Sequence, residues 1–271
     1  MKLHNYKVKA KPEVRAKKHL GQHFLVDKNI SRKIAEQFQN HKGCTKVLEI
    51  GPGTGALTTF LLEKPENDIW VIEIDRDSIA YLKENFTALE GKILEEDFLK
   101  MKPELHFGNE PFAVVGNFPY NISTQILFKC LEHRNQIPEI MGMFQKEVAE
   151  RIAEKPGSKI YGIISVLFQA FYDIKYCFTV DENAFNPPPK VKSGVIRMTR
   201  NERDVFPCDE KLFIQIVKAC FNQRRKMMRN TIKQFIHDKP FEHRFLTERP
   251  ERLSVDDFIE FTNAIDEVMK S

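Results

Sequence analysis

The sequence predicts an α/β fold, a parallel sheet covered by helices on both faces, followed by a small all-α C-terminal domain. Three observations point there. Short apolar runs alternate with helical patterns as far as about residue 132, the arrangement of a sheet wound with crossover helices. The first clear strand, Val47-Leu48-Glu49-Ile50, runs into Gly51-Pro52-Gly53-Thr54-Gly55 and then into the helical pattern of residues 56–62. After Pro207 the periodicity is helical throughout.

In chain order, residues 27–41 read as a helix, with Ile30, Ile34 and Phe38 four apart on one face. The glycine turn after residues 47–50 lets backbone bend tightly and approach a ligand at Gly51 and Gly53. Its Gly-x-Gly-x-Gly spacing is not that of a pyrophosphate site, and Pro52 removes an N–H that could cradle phosphate, so a dinucleotide is disfavoured. A second strand, 68–72, ends in Glu73-Ile74-Asp75, about where a Rossmann-like fold places an acid on ribose hydroxyls; Glu73 is preferred to Asp75 for that bond. A third, 92–94, leads to Glu95-Glu96-Asp97-Phe98, where Asp97 is placed to accept from an adenine amino group.

The fourth strand, 112–115, ends in Asn117-Phe118-Pro119-Tyr120. The Asn117 amide oxygen accepts from an exocyclic amine, and Pro119 restricts Phe118 to extended backbone whose carbonyl stays available. Tyr120 adds a flat face for a base. Two acceptors and an aromatic ring are what a planar amine requires. Residues 139–144 read as a further strand, followed by helical stretches to Phe171. Residues 173–180 and 193–200 read as late strands flanking a proline-rich turn, an antiparallel pair at one sheet edge. Helices are then expected at 210–221, 224–236 and 255–269, with a domain boundary near 201–207 that divides the chain into 1–202 and 203–271.

With 271 residues, 42% of them apolar, the chain can build one large core and one small one. No apolar run approaches the roughly 18 residues of a membrane span, and the Lys-rich N-terminus is not a secretory signal. Five cysteines lie far apart without a Cys-x-x-Cys pair, which suggests reduced thiols in the cytoplasm. The eight histidines show no ligand spacing, so no metal is expected. A monomer without membrane partners is the expectation.

The net charge of +4 is unevenly placed. The basic tail 1–20 carries Lys2, Lys7, Lys9, Lys11, Arg15, Lys17 and Lys18 against one acid, Glu13. Residues 222–234 carry Arg224, Arg225, Lys226, Arg229 and Lys233 with no acid, interleaved with apolar Phe221, Met228 and Ile232. Such a helix can pack on one side and meet phosphates with the other.

Taken together, Gly21-Gln22-His23-Phe24-Leu25, the run from Glu49 to Thr58, Val71-Ile72-Glu73-Ile74-Asp75, Glu96-Asp97 and Gly116-Asn117-Phe118-Pro119-Tyr120-Asn121-Ile122-Ser123 resemble the ribosomal RNA adenine N6,N6-dimethyltransferases. The likeness extends to Phe185-Asn186-Pro187-Pro188-Pro189-Lys190-Val191-Lys192-Ser193, to Phe221-Asn222-Gln223-Arg224-Arg225-Lys226 with Arg229-Asn230, and to Arg249-Pro250-Glu251-Arg252-Leu253-Ser254. It covers about residues 15–265, and the C-terminal matches point to the branch acting on the small subunit.

The resemblance implies a class I methyltransferase sheet and S-adenosylmethionine as cofactor, held by His23, Leu25, Gly51, Gly53, Glu73, Asp97 and Asn117. His23 stands where the family commonly has Asn, so its backbone contact is what carries over. Phe118 stands for the more usual Leu, a small change if its carbonyl meets the amine. The implied substrate is a pair of adjacent adenosines near the 3′ end of small-subunit rRNA, within the immature small ribosomal subunit. Asn117 and the Phe118 carbonyl would hold the amine, and Tyr120 and Phe185 would face the flipped base. Arg224, Arg225, Lys226 and Arg229 would bind RNA. Other readings are a large-subunit rRNA methyltransferase of the resistance type, against which the C-terminal matches argue, a DNA adenine methyltransferase, and a non-catalytic assembly or transcription factor. The last has no need of Gly51, Glu73 and Asn117 together, and all three are present.

Overall fold

A computed structural model describes residues 14–203, 205–237 and 239–271. In chain order the elements are β1 (Phe24–Leu25), α1 (Lys28–Gln37), β2 (Lys46–Ile50), α2 (Thr58–Leu61), β3 (Asp68–Ile72), α3 (Arg76–Asn85), β4 (Ile93–Leu94), α4 (Pro103–Phe107), β5 (Ala113–Asn117), α5 (Ser123–Glu132) and β6 (Glu139–Gln145). There follow α6 (Lys146–Ala153), α7 (Ile163–Gln169), β7 (Tyr172–Val180), β8 (Phe185–Asn186), β9 (Ser193–Arg200), α8 (Glu210–Asn222), α9 (Met228–Thr231), α10 (Lys233–Ile236) and α11 (Val255–Lys270).

Seven strands form one sheet in the order β4-β3-β2-β5-β6-β9-β7. The pairs from β4 to β6 are parallel, as their continuous apolar runs require: Val47, Leu48, Val71, Val114, Val115, Ile140 and Met141 are fully buried. The chain winds outward from β2 through β3 to β4, then returns to β5 on the other side. That reversal opens a crevice beyond the carboxyl ends of β2 and β5, where open α/β sheets bind ligands. Buried Glu139 locks the start of β6: it accepts from the N–H groups of Gln39 (3.1 Å) and His41 (2.8 Å) and pairs with Arg197 of β9 at 3.0 Å.

The first helix begins one residue inside the expected span, where the Asp27 carboxylate caps the N–H groups of Asn29 and Ile30. Ile34 and Phe38 are buried beneath it, and Ile30 is partly so. The late strands close one side of the sheet with β7 outermost. Two elements escaped the sequence reading: β1 and β8 form a separate antiparallel ladder, Phe24 opposite Asn186 and Leu25 opposite Phe185. Two-residue strands carry no periodicity to read.

The chain forms two compact units. One holds the chain up to Lys146 together with Cys177–Arg197; the other holds Glu147–Tyr176 and Met198–Ser271. A single cut at 202/203 therefore differs from this partition. In the second unit α7 packs on α8 and α11, with Val166, Leu167 and Phe168 buried, so its apolar face belongs with the C-terminal helices. The helix expected over 224–236 is also different. The N–H of Gln223 turns back to Cys220 and Phe221, Met227 is extended, and the chain restarts as the short helices α9 and α10.

Candidate active site

A cavity of about 270 Å³ lies at the carboxyl ends of β2, β3 and β5 in the first unit. Gly51 and Gly53, from the turn after β2, both line it with positive φ, 64° and 56°. Space above Gly51 is open, whereas a Cβ at Gly53 would stand 2.8 Å from the Phe24 ring. Glycine is thus required at Gly53 by conformation and by the close passage of residues 19–24 along the cavity.

Glu73, just past β3, is buried with its carboxylate aimed at this turn. It accepts from the N–H groups of Ile74 (2.8 Å), Asp75 (2.9 Å) and Gly53 (3.2 Å). Burial raises its pKa and these three N–H groups oppose the rise. A carboxylate offers about four lone-pair sites, so one acceptor position remains for a ligand hydroxyl. Asp97, after β4, lines the same cavity and holds the turn by accepting from the Leu99 N–H at 2.9 Å. Behind the glycine turn, Glu49 is buried and accepts from the Thr58 hydroxyl at 2.6 Å. Burial pushes its carboxyl up to about 8, with the Thr58 bond opposing and the charge of Glu73 adding to the rise.

Asn117 ends β5 on the cavity wall, and its Nδ2 donates to the His23 carbonyl at 2.9 Å. That fixes the amide and leaves Oδ1 as an acceptor. The Phe118 ring turns away into the core, edge-on to Phe144 with centroids 5.1 Å apart. Room for it comes from Gly116 and Gly142, where a Cβ would stand 2.7 Å and 2.5 Å from that ring. Tyr120 lines the cavity, its hydroxyl 2.5 Å from the Oγ of buried Ser193. His23 stacks on the Tyr120 ring at 5.6 Å and 27°, and its Nδ1 lies 2.8 Å from the Pro187 carbonyl. Burial raises the Tyr120 pKa and the Ser193 bond opposes it.

The structure thus gathers His23, Gly51, Gly53, Glu73, Asp97, Asn117, Phe118 and Tyr120 around one cavity. Phe185 does not line it, and Leu25 instead lines a second, smaller cleft that shares Phe24, Gly51 and Asn117 with it. Their β1–β8 pairing sends both into the hydrophobic core, 5% and 3% exposed, so Phe185 presents no ring to a base. The interactions of Ser193, Gly142, Lys17 and Asp75 around the site were not foreseen; the lysine and the acid stood in the sequence, but their meeting is a tertiary event.

In the second unit Arg225, Lys226 and Arg229 are exposed. Arg224 is not free in the same way: it donates to the Ser158 carbonyl at 3.0 Å and lies 3.7 Å from Glu251. Lys2, Lys7, Lys9, Lys11 and Glu13 of the basic tail lie outside the described residues. Among the described residues no cluster of three or more His, Cys, Asp or Glu could hold a metal ion, and no helix is long and apolar enough to cross a membrane.

The lining supports a definite ligand class. Glu73, Glu96 and Asp97 contribute carboxylates, and among the described lining residues there is no Lys or Arg to balance a phosphate. Such a wall fits a nucleoside bearing positive charge, as the adenosyl sulfonium of S-adenosylmethionine does. Fold and site together define a class I S-adenosylmethionine-dependent methyltransferase. The family model for ribosomal RNA adenine dimethylase matches residues 13–266, and the chain belongs to that family. It is 57% identical over 255 residues to the ribosomal RNA small subunit methyltransferase A of Flavobacterium johnsoniae, covering 94% of this chain and 97% of the relative. With the protein of that name from Bacteroides thetaiotaomicron it is 53% identical over 260 residues, 95% and 97% of the two chains. Its fold is similar to the crystal structure of a dimethyladenosine transferase from Plasmodium falciparum, with a TM-score of 0.77 and 26% identity over 91% of this chain and 98% of that one. It is also similar in fold to the 23S rRNA methyltransferase ErmE, with a TM-score of 0.63 and 24% identity over 90% and 99%.

Proposed function

We propose that this chain dimethylates N6 of two adjacent adenosines near the 3′ end of small-subunit (16S) rRNA, acting as a cytoplasmic monomer on the immature small subunit. The observation that carries the reading is that Asn117, whose Nδ2 is engaged by the His23 carbonyl and whose Oδ1 is left as an acceptor, lines one cavity with Phe118, Glu73 and Asp97. The two relatives carry the small-subunit name, and five free cysteines suit a reducing compartment.

In this reading Glu73 accepts from the cofactor ribose, Asp97 from its adenine amino group, and Gly51 and Gly53 let the backbone approach. Bound S-adenosylmethionine supplies an electrophilic methyl group. The chain's task is to make a poor nucleophile react, since the adenine amine delocalises its lone pair into the ring. Asn117 and the Phe118 carbonyl accept its two N–H bonds, favour pyramidal nitrogen and direct the lone pair. This is positioning and electrostatics: the nitrogen's proton becomes acidic only once the methyl is on it and then passes to water, so no strong general base is needed. In this reading the face of the Tyr120 ring turned away from His23 takes the flipped base, while Ser193 holds the hydroxyl end. Arg225, Lys226 and Arg229 meet phosphates. The division of labour follows the compact units, with chemistry in the first and RNA or subunit binding in the second.

The test is mass spectrometry of position-mapped rRNA nucleosides from a deletion strain. Loss of dimethyladenosine at two adjacent 16S positions, restored by the intact gene and not by Asn117→Ala, is expected. Unchanged 16S rRNA, or a loss confined to 23S rRNA, sinks the reading.

A further inference from the structure

We propose that Lys17 and Asp75 form a latch that holds residues 17–24 across the cofactor cavity and thereby sets how fast the cofactor leaves. The inference rests on the cofactor site proposed above and names positioning residues for it.

Residues 19–24 form one wall of the cavity, and in the proposed latch the cofactor leaves past them. One end is held in several ways: by the β1–β8 ladder, by the His23 ring against Pro187 and Tyr120, and by the Asn117 amide on the His23 carbonyl. The other end is held differently. After a 3₁₀ turn at Lys18–Leu20 and Gly21 at φ 66°, the fastening is ionic. The Lys17 ammonium bonds the Asp75 carboxylate and lies 2.7 Å from Asp77 Oδ2. The Gln22 amide reaches Asp75 at 3.4 Å, and Gln22 Oε1 accepts from the Lys17 N–H at 2.8 Å.

Asp75 joins this end to the cofactor site. Its N–H donates to the Glu73 carboxylate at 2.9 Å while its side chain, buried, receives Lys17. Folding alone does not call for the lysine. Asp75 also accepts from the Ser78 hydroxyl (3.0 Å) and the Asp77 N–H (3.3 Å), so it keeps partners when Lys17 is absent. The lysine is one-third exposed, which leaves the pair weak enough to break and open to screening by salt. A segment fastened firmly at one end and by a screened ion pair at the other opens from the ionic end.

Dissociation of S-adenosylmethionine from the full chain, followed by stopped flow from about 50 to 500 mM salt, tests this. Lys17→Met should release it about 3- to 10-fold faster at low salt and lose the salt dependence that the intact chain shows. Lys17→Arg should restore both. Glu73→Ala run in parallel separates the two levels. If Glu73→Ala weakens binding while the cofactor leaves Lys17→Met at the normal rate, the latch is wrong and the site stands. Normal affinity in Glu73→Ala overturns the site reading and the latch with it.

Discussion

Asn117 and Tyr120 sit three residues apart and are held by different means, so their substitutions should fail differently. Asn117→Ala removes an acceptor pinned by its bond to the His23 carbonyl. Turnover should fall roughly 100-fold or more, by analogy with the loss of one preorganised donor in an oxyanion hole, with cofactor affinity changing less. Tyr120→Ala deletes a stacking face worth about 1–3 kcal/mol per base. Tyr120→Phe keeps that face but leaves the buried Ser193 hydroxyl without its 2.5 Å partner, so activity should drop modestly, between the intact chain and Tyr120→Ala. Single-turnover methylation of immature small subunits, with cofactor binding in parallel, reads all three; Tyr120→Phe as inactive as Tyr120→Ala would give the hydroxyl the main role. Glu49 makes a separate prediction. Folded, its carboxyl keeps a proton to about pH 8; unfolded, it loses it above about 4.5, so the folded chain binds the extra proton between these values. Its contribution to stability is present below about pH 4.5 and is lost as pH rises toward 8. Glu49→Gln, neutral at every pH, should flatten the fall of melting temperature across that window. The meeting of Glu73, Asp97, Asn117 and Tyr120 at one cavity was legible because each follows a strand read from its own apolar run, whereas the burial of Phe185 and Leu25 depends on a ladder between segments 160 residues apart, counted from the pairing of Leu25 with Phe185.

At the scale of elements, the sheet was legible and the short connections were not. Strands β2, β5 and β6 are buried on both faces and β3 on one, with Trp70 partly exposed on the other, and their apolar runs announce them without help from distant residues. The stretch after α8 defeated the same logic. Phe221, Met228 and Ile232 are all buried as an amphipathic helix would have them, yet the chain turns at residues 224–227 between two helices. That turn presents Arg225 and Lys226, with Arg229 on α9 beyond it, while Arg224 is spent on Ser158 and Glu251. Removing the charges of Arg225, Lys226 and Arg229 should weaken binding to the immature subunit and flatten its salt dependence by about 0.7–0.9 log units for each phosphate no longer neutralised. Arg224→Ala should instead lower thermal stability with little change in that slope. An unchanged slope in the triple variant, measured by filter binding across a salt series, would show that the turn faces solvent in the complex.

For the molecule as a whole, composition and periodicity disclosed one α/β region and one helical region, but not which residues belong to which. The reason lies in α6 and α7, whose helical pattern looks alike whether they cover a sheet or join a bundle; only the packing of α7 on α8 and α11 decides. A fragment ending at residue 202 keeps every residue of the first unit but strips α7 of α8 and α11, so it should still melt cooperatively while exposing Val166, Leu167 and Phe168 and binding an apolar dye that the intact chain does not. Dye binding no greater than that of the intact chain would mean that α7 finds cover without its helical partners. The chain leaves the first unit after Lys146, returns at Cys177 and leaves again after Arg197, so each unit is written in two separated pieces of sequence. For genetic exchange this is restrictive: no single recombination point can hand the second unit intact to another catalytic core, or replace it with a foreign one. A graft must carry the inserted piece, Glu147–Tyr176, along with the tail, because an exchange confined to the tail strands the face of α7.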